Sequence, residues 1–329
     1  MALSALALVA ACGGGGSEKK PDTQAATATP KGNGNTFTIA MIAKSSTNPV
    51  FLAARTGAEA AAKELSAKTG KEIRINWLTP PQEDGQVQAQ RVQQAVNDGA
   101  DAILISCSDA GKVTGAINDA VGRGVPVMTF DSDAPGSKRF AFYGVDDLKT
   151  GQRVMAELAK LLNGKGKIAF ITSMGATNLQ RRLEGAKDAL KAAPGIEVVE
   201  AYDIKEDAVR CAEIIATGSR RYPDLGAWLS VGGWPVFTRN ALAGVDPSRT
   251  KVISFDTVES AVDLLREGKV QVLLGQKYFG WGSEPVKLLH GIKNGRNPAS
   301  AIIDSGVDVV TRENMDAYVA EFKRLEAGK

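Results

Sequence analysis

The chain has 329 residues, of which 43% are hydrophobic and 23% are charged, and its net charge at pH 7 is +3. One compact core rarely takes so many residues, so two domains are expected. The 40 Lys and Arg residues are spread along the chain, whereas a nucleic-acid interface needs a clustered basic face. His290 is the one histidine of the sequence, so a multi-histidine metal site or a Ser/His/Asp triad is not expected.

The chain begins with an apolar segment that ends in small residues and a cysteine. Residues 9–12, VAAC, resemble the bacterial lipobox, in which the cysteine becomes the lipid-bearing first residue of the mature chain. We therefore expect a lipoprotein signal at 1–12, with lipidation at Cys12, and a flexible linker at 13–36, which is too poor in apolar residues to fold. A chance apolar terminus is the alternative, since no basic residue follows Met1 as in a usual signal peptide.

This interpretation places the protein in the periplasm or at the cell surface, anchored to the membrane through Cys12. The anchor is its only expected membrane contact, because no run approaches the roughly 18 apolar residues of a membrane span.

Short β-branched and apolar runs then alternate with amphipathic stretches. The runs predict strands at 36–43, 73–78, 101–106, 125–130, 139–145, 167–172, 196–201, 226–231, 251–255 and 270–275. The amphipathic stretches predict helices at 49–68, 84–98, 110–123, 147–163, 178–193, 205–221, 236–243, 258–267 and 282–294. Continuous apolar strands separated by helices predict an α/β fold of doubly wound parallel sheets covered on both faces.

The alternation breaks at three places. Strand 139–145 follows strand 125–130 without a helix between them, and further breaks follow residue 276 and lie near 301–310. Three crossings predict two discontinuous lobes joined by a three-strand hinge. The predicted N-terminal lobe is 37–145 with 277–304, and the predicted C-terminal lobe is 146–276 with 305–329. Cys107 and Cys211 then belong to different lobes and are expected to be free thiols.

Ligands of parallel sheets bind beyond the carboxyl ends of the strands. Polar residues stand at or just beyond those ends, and they are the first candidates for a binding site: Lys44, Asn48, Asp131, Asp256 and Gln276.

Six stretches resemble the class I periplasmic binding proteins, in particular the ribose-binding group that serves sugar ABC transporters. They are IAMIAKSSTNPVF (39–51), DGADAILIS (98–106), VPVMTFDSD (125–133), TNLQRRLEGAKDAL (177–190), VISFD (252–256) and VLLGQ (272–276), in family order. The resemblance implies the periplasmic binding protein type I fold. It also implies that a monosaccharide, or a related polyol, is captured in the interlobe cleft and delivered to a membrane permease, by a monomer without catalysis or a cofactor. Presentation of the bound sugar to a chemoreceptor is compatible with that role.

The resemblance also implies ligand-binding positions, each of which could instead serve only to cap a helix, pack in the core or face solvent. Sugar-binding polar residues of the family correspond to Asn48, Asp131, Arg182, Asp256 and Gln276, and an aromatic ring that packs on the sugar corresponds to Phe51.

Three departures from the family pattern leave ribose itself unassigned as the ligand. Lys44 stands where a small polar residue is frequent, Ser132 where an Arg is common, and Gly-Gly-Trp-Pro at 232–235 where Asn-Asp is expected. Lys44 either contacts the ligand or pairs with Asp131 or Asp133. Trp234 is expected to form a wall of the site, with Trp281 or Phe279 as further candidates. Asp133 and Asp147 complete the candidate set.

Three alternatives remain open. VMTFDSD with Lys44 also resembles the binding protein for the furanose autoinducer-2, although the Asp-Gln pair of that group reads Asn178-Leu179 here. A sugar-responsive LacI-type transcription regulator uses the same two-lobed core, but it needs a helix-turn-helix domain of about 60 residues before that core. The third alternative is a glycoside-processing enzyme, because carboxylate pairs such as Asp131 and Asp133 occur in the sequence.

Overall fold

Two six-stranded sheets organise the chain. The structure is a computed structural model that describes residues 35–237 and 240–326. The predicted signal with Cys12, and the predicted linker up to residue 34, lie outside the described residues. The first lobe contains β1 (Thr36–Ile42), α1 (Pro49–Thr69), β2 (Glu72–Trp77), α2 (Gly85–Asn97), β3 (Ala102–Ile105), α3 (Ala110–Gly122), β4 (Val127–Phe130) and β5 (Ala141–Gly144).

The second lobe follows without interruption. It contains α4 (Asp147–Leu161), β6 (Lys165–Thr172), α5 (Thr177–Leu190), β7 (Gly195–Asp203), α6 (Ala208–Arg221), β8 (Leu225–Ser230), α7 (Trp234–Phe237), β9 (Lys251–Phe255), α8 (Glu259–Arg266) and β10 (Val272–Gln276). The remaining elements are α9 (Tyr278–Lys293), β11 (Ile302–Asp304), β12 (Val307–Val310) and α10 (Met315–Glu326).

The strand order confirms the predicted fold class. The first sheet has the order β11-β5-β4-β3-β1-β2 and is parallel throughout. The second has the order β12-β10-β9-β8-β6-β7 and is parallel except for β12, which runs antiparallel to β10. The chain passes between the sheets after β5, after β10 and after β11, which is the predicted three-strand hinge. Sheet membership supports the proposed lobe boundaries.

Side-chain caps explain where many of the helices begin. Asn48 accepts a hydrogen bond from the Val50 backbone N–H at 3.1 Å, as expected for a cap followed by Pro49. Aspartates cap four more helices in the same way: Asp84, Asp109, Asp146 and Asp207. Each cap satisfies backbone donors that the first helical turn leaves without a partner.

Some described helices differ from the sequence prediction in their boundaries, and one was not predicted. The helix expected at 236–243 begins earlier, at Trp234, because Pro235 fits the first turn of a helix, and the structure describes it only to Phe237. Helix α10 was not predicted. It contacts both lobes, since Tyr318 packs against the C-terminal core and Phe322 against the N-terminal core.

Glycines bring one pair of helices in each lobe into backbone contact. A Cβ atom on Gly282 of α9 would lie 1.9 Å from the Ala54 carbonyl oxygen of α1. In the second lobe, a Cβ atom on Gly185 of α5 would lie 2.0 Å from the Leu148 carbonyl oxygen of α4. These close approaches position the first turns of α1 and α9, and those of α4 and α5, beside the gap between the lobes.

Cys107 and Cys211 are buried free thiols in the cores of opposite lobes, as predicted. Among the described helices, none is long and apolar enough to cross a membrane.

Candidate functional site

A narrow cleft separates the two lobes, and residues from both line it. The first lobe contributes Lys44, Asn48, Val50, Phe51, Glu83, Asp131 and Trp281. The second contributes Asn178, Leu179, Arg182, Glu206, Gly232, Gly233, Trp234, Phe237, Asp256 and Gln276. Its free volume is about 40 Å³, whereas one water molecule needs roughly 10–15 Å³ by the same measure. The lobes are therefore closed on a space for a few water molecules.

The same dipeptide ends one central strand in each lobe. Phe130-Asp131 closes β4 and Phe255-Asp256 closes β9, and the backbone of each aspartate is left-handed, with φ of 56° and 73°. Aspartate tolerates this conformation better than most residues. The left-handed turn ends each strand at the cleft, and both carboxylates line it.

The second lobe holds its polar groups in one connected chain. Arg182 donates from Nε to Asp147 at 2.8 Å and from Nη2 to the Gln276 side-chain oxygen at 2.8 Å. Gln276 in turn donates from Nε2 to Asp256 Oδ1 at 2.9 Å, and the Tyr278 hydroxyl donates to the same oxygen at 3.2 Å. Asp147 and Gln276 stand at two hinge crossings, so the chain links the site to the hinge.

Packing holds the Arg182 side chain rigid. It is 2% exposed, its guanidinium carbon lies 4.4 Å from the centre of the Phe255 ring, and Nη1 donates to the Val231 carbonyl at 3.3 Å. Burial raises the pKa of Asp256 to about 6, although its hydrogen bond from Gln276 and the charge of Arg182 act in the opposite direction.

The first lobe shares its polar groups with the opposite lobe. Asp131 accepts from the Ser106 hydroxyl at 2.7 Å within its own lobe and from the Asn178 side chain of the other lobe at 3.2 Å. Lys44 Nζ lies 3.5 Å from Asp131 and 4.0 Å from Glu206 across the cleft. Lobe closure therefore completes the surroundings of Asp131 and Lys44.

Three carboxylates surround Lys44, which is 4% exposed. Burial alone would lower the pKa of Lys44, but Asp131, Glu206 and Glu83 raise it above its ordinary value, so the amine is charged. Burial and the neighbouring Glu206 raise the pKa of Glu83 to about 8, although Lys44 pulls it down. Burial also raises the pKa of Glu206.

Aromatic rings form both walls of the cleft. Phe51 and Trp281 have ring centres 6.3 Å apart on the first lobe, and each packs on Phe130. Trp234 lines the second lobe beside Glu206 and acts to lower the pKa of that carboxyl group.

The structure brings together most of the predicted ligand-binding residues, namely Lys44, Asn48, Phe51, Asp131, Arg182, Trp234, Asp256 and Gln276. Asn48 is also a helix cap, and Lys44 pairs with Asp131, the nearer of its two suggested partners. Asp133 lies apart from this group. Its carboxylate accepts from Arg139 and, at 2.6 Å, from the Thr129 hydroxyl, because the chain turns away from the cleft after Asp131.

Sequence reasoning missed three cleft residues as binding candidates. Glu83 follows β2 and Glu206 follows β7, so the rule of polar residues beyond strand ends would have found both. Asn178 lies in the first turn of α5 and had been considered only as a departure from another group. No set of three or more His, Cys, Asp or Glu side chains in the described part of the chain could hold a metal ion.

Comparisons with known proteins agree with this geometry. A family model described as a periplasmic binding protein domain matches residues 39–297. A D-ribose/D-allose-binding protein of Pseudomonas aeruginosa is 26% identical over 289 residues, which cover 83% of this chain and 88% of that protein. A ribose import binding protein of Bacillus subtilis is 27% identical over 255 residues, covering 75% and 78%.

Solved structures show the same architecture. An ABC transporter solute-binding protein from Burkholderia graminis, in complex with D-arabinose, has a TM-score of 0.80 and 28% identity, covering 86% of this chain and 97% of that one. An arabinose-binding protein from Geobacillus stearothermophilus has a TM-score of 0.72 and 29% identity, covering 86% and 99%. The family model matches most of this chain, and the chain has the two-lobed fold. This chain therefore belongs to the periplasmic binding protein family.

Proposed function

We propose that the protein is an extracytoplasmic solute-binding protein that captures a monosaccharide, or a closely related polyol, between its lobes and delivers it to an ABC transporter permease. The observation that carries this proposal is the hydrogen-bonded chain Asp147–Arg182–Gln276–Asp256, which faces Asp131 and an aromatic wall across the closed cleft. Relatives named for ribose, allose and arabinose support the choice of a sugar.

The residue types suit a row of hydroxyl groups. A carboxylate accepts hydrogen bonds, arginine donates them, and an amide does both. Both bonds to Asp256 reach Oδ1, which leaves Oδ2 for a ligand hydroxyl. The rings of Phe51, Trp281 and Trp234 can cover the C–H face of a sugar. A sugar epimer that leaves one buried polar group unsatisfied should lose about 1–3 kcal/mol of binding energy, or roughly five- to hundredfold in affinity.

Charge favours a neutral ligand over a sugar acid or sugar phosphate. Four carboxyl groups line the cleft, Glu83, Asp131, Glu206 and Asp256, against the cations Lys44 and Arg182, although a pKa raised to about 8 leaves Glu83 mostly uncharged at pH 7. Each cation lies beside carboxylates, so neither is free to neutralise an anionic ligand.

Closure would couple binding to delivery. The Asn178–Asp131 hydrogen bond and the Lys44–Glu206 contact join opposite lobes, so they form only when the hinge closes. A ligand that bridges the lobes favours the closed form, and domain closure about a hinge is an established motion of periplasmic binding proteins. The relatives are named for binding and import, and we expect binding without catalysis. Docking of the closed form on a permease follows from that role, and a chemoreceptor could recognise the same form.

The predicted lipid anchor stays a proposal. Mass spectrometry of the protein isolated from membranes should find Cys12 as a lipid-bearing first residue. An unmodified chain that keeps Met1 would exclude the anchor and leave the sugar site untouched.

A thermal-shift panel tests the function itself. The protein is heated with neutral pentoses, hexoses and polyols and, as the charge control, with the corresponding sugar acids and phosphates. We expect at least one neutral sugar to raise the melting temperature, because a ligand that binds only the folded state stabilises it. No shift with any neutral sugar, or a larger shift with an anionic one, would contradict the proposal.

A further inference from the structure

The Trp281 side chain carries a buried hydrogen-bond donor without an acceptor. It is 1% exposed, and its indole nitrogen makes no hydrogen bond within the described residues. Two further buried oxygens without a hydrogen-bond partner, on Glu83 and Glu206, line the same cleft. Most buried polar atoms of a protein are paired, so a group of unpaired ones at one cleft needs an explanation.

Packing explains the position of the indole but not its nitrogen. The close approach of α1 and α9, which Gly282 permits, sets Trp281 beside Phe51. Phe130 and Tyr278 complete the cluster, with ring centres 6.2 Å and 5.2 Å from the indole. Aromatic rings are poor acceptors, and a phenylalanine at this position would pack on the same rings without a buried donor. The cluster therefore does not account for the N–H group.

We propose that Trp281 determines ligand specificity: its indole N–H donates a hydrogen bond to an oxygen atom of the bound sugar. This inference rests on the proposed function. Since indole is a donor only, its partner must be an acceptor, such as a ring oxygen or a hydroxyl. Asp131 and Asp256 have the complementary role, because their carboxylates accept hydrogen bonds from sugar hydroxyl groups.

The test is calorimetric titration of the full chain with the neutral pentoses, hexoses and polyols of the thermal-shift panel, D-ribose, D-allose and D-arabinose among them, comparing the wild type with Trp281→Phe. The variant keeps an aromatic ring and loses the donor, so we expect its affinity to fall about five- to hundredfold while the chain still unfolds in one cooperative transition. Trp228→Phe is the matched control. Trp228 is also fully buried, but it donates to Ser219 at 3.2 Å within the second core. That variant should melt at a lower temperature and bind sugar like the wild type.

Unchanged affinity in Trp281→Phe would overturn the inference and leave the proposed function standing, whereas a wild type that binds no sugar would contradict the proposed function. A second measurement does not depend on how well the variant folds. In ¹⁵N-labelled wild-type protein, the indole N–H resonance of Trp281, assigned by elimination with the other Trp→Phe variants, should move downfield when a binding sugar saturates the cleft. A resonance that stays in place would equally overturn the inference.

Discussion

The two lobes present matching aspartates to the cleft but hold them in different ways. Asp256 accepts from Gln276 in its own lobe and from Tyr278, which follows the hinge crossing and packs in the first core. Asp131 accepts from Ser106 in its own lobe and from Asn178 in the opposite lobe. The hydrogen-bonded chain Asp147–Arg182–Gln276–Asp256 lies within the second lobe and does not need closure, whereas the surroundings of Asp131 are completed by it.

This difference separates two contributions to affinity. A preorganised network of hydrogen bonds, such as Asp147–Arg182–Gln276–Asp256, lowers the entropic cost of ordering side chains when a ligand binds. Contacts that exist only between lobes set the balance between open and closed forms instead, and a ligand shifts that balance by its differential affinity. Variants of the second lobe should therefore weaken binding most, and variants of interlobe contacts should act through closure.

Arg182→Ala should have the largest effect. It removes the centre of the preorganised chain and leaves Asp147 buried without its partner. We expect at least about a hundredfold loss of sugar affinity, and about 3–5 kcal/mol lower stability of the second lobe. Calorimetry and thermal unfolding measure the two. Arg181→Ala is the control, since that neighbouring side chain is 51% exposed and pairs with the exposed Glu184. Binding within threefold of the wild type in Arg182→Ala would contradict the assignment.

Asp256→Asn should come next. Asparagine tolerates the left-handed backbone and can still accept from Gln276 and Tyr278, but it loses the charge and one acceptor. An affinity about ten- to hundredfold weaker is expected by calorimetry. Asp316→Asn, at a side chain that is 84% exposed, should bind normally. Equal affinities in the two variants would exclude Asp256 from the site.

Asn178→Ala tests the interlobe contact. It removes the hydrogen bond to Asp131 without touching the chain around Arg182, so the closed form should lose about 0.5–1.5 kcal/mol, or roughly two- to tenfold in sugar affinity. Small-angle scattering of the ligand-free variant should show a larger radius of gyration than that of the wild type. A variant that binds as weakly as Arg182→Ala would erase the distinction between the lobes.

The pH dependence of stability should show the smallest effect. A carboxyl group with a raised pKa binds more protons in the folded than in the unfolded protein. Its contribution to the free energy of unfolding is therefore fully present below the pKa of the unfolded state, and it is lost as pH rises through the pKa of the folded state. For Glu83 that window runs from 4.5 to about 8. Between pH 5 and 8.5 the melting temperature of the wild type should fall by at least about 2–4 °C more than that of Glu83→Gln, the equivalent of about 1 kcal/mol.

Glu83 faces Lys44, Asp131 and Glu206, which remain in both proteins, so the difference between the two slopes belongs to Glu83. Parallel pH profiles would show that Glu83 does not titrate in this window. A steeper profile in the variant would reverse the sign of the predicted effect.

Local patterns in the sequence were enough for the fold and for most of the cleft. Apolar runs of strand length predicted the described strands of 36–276 because burial on both faces of a parallel sheet leaves no polar position inside them. Asn48 and Pro49 marked the start of α1 because capping involves only neighbouring residues. Aspartates at strand ends marked the site because the carboxyl ends of parallel strands share one edge.

Contacts between distant segments could not be predicted. Arg182 and Gln276 are 94 positions apart, and Asn178 and Asp131 are 47 positions apart and belong to opposite lobes. The pairing of Asp133 with Arg139, the approach of Glu83 to Lys44 and the buried indole N–H of Trp281 also depend on how helices and lobes pack. The sequence by itself determined which residues lie at the carboxyl edge of each sheet, because the apolar pattern of a strand is local. Only the tertiary structure decided which of them meet across the cleft, because closure and helix packing set those distances.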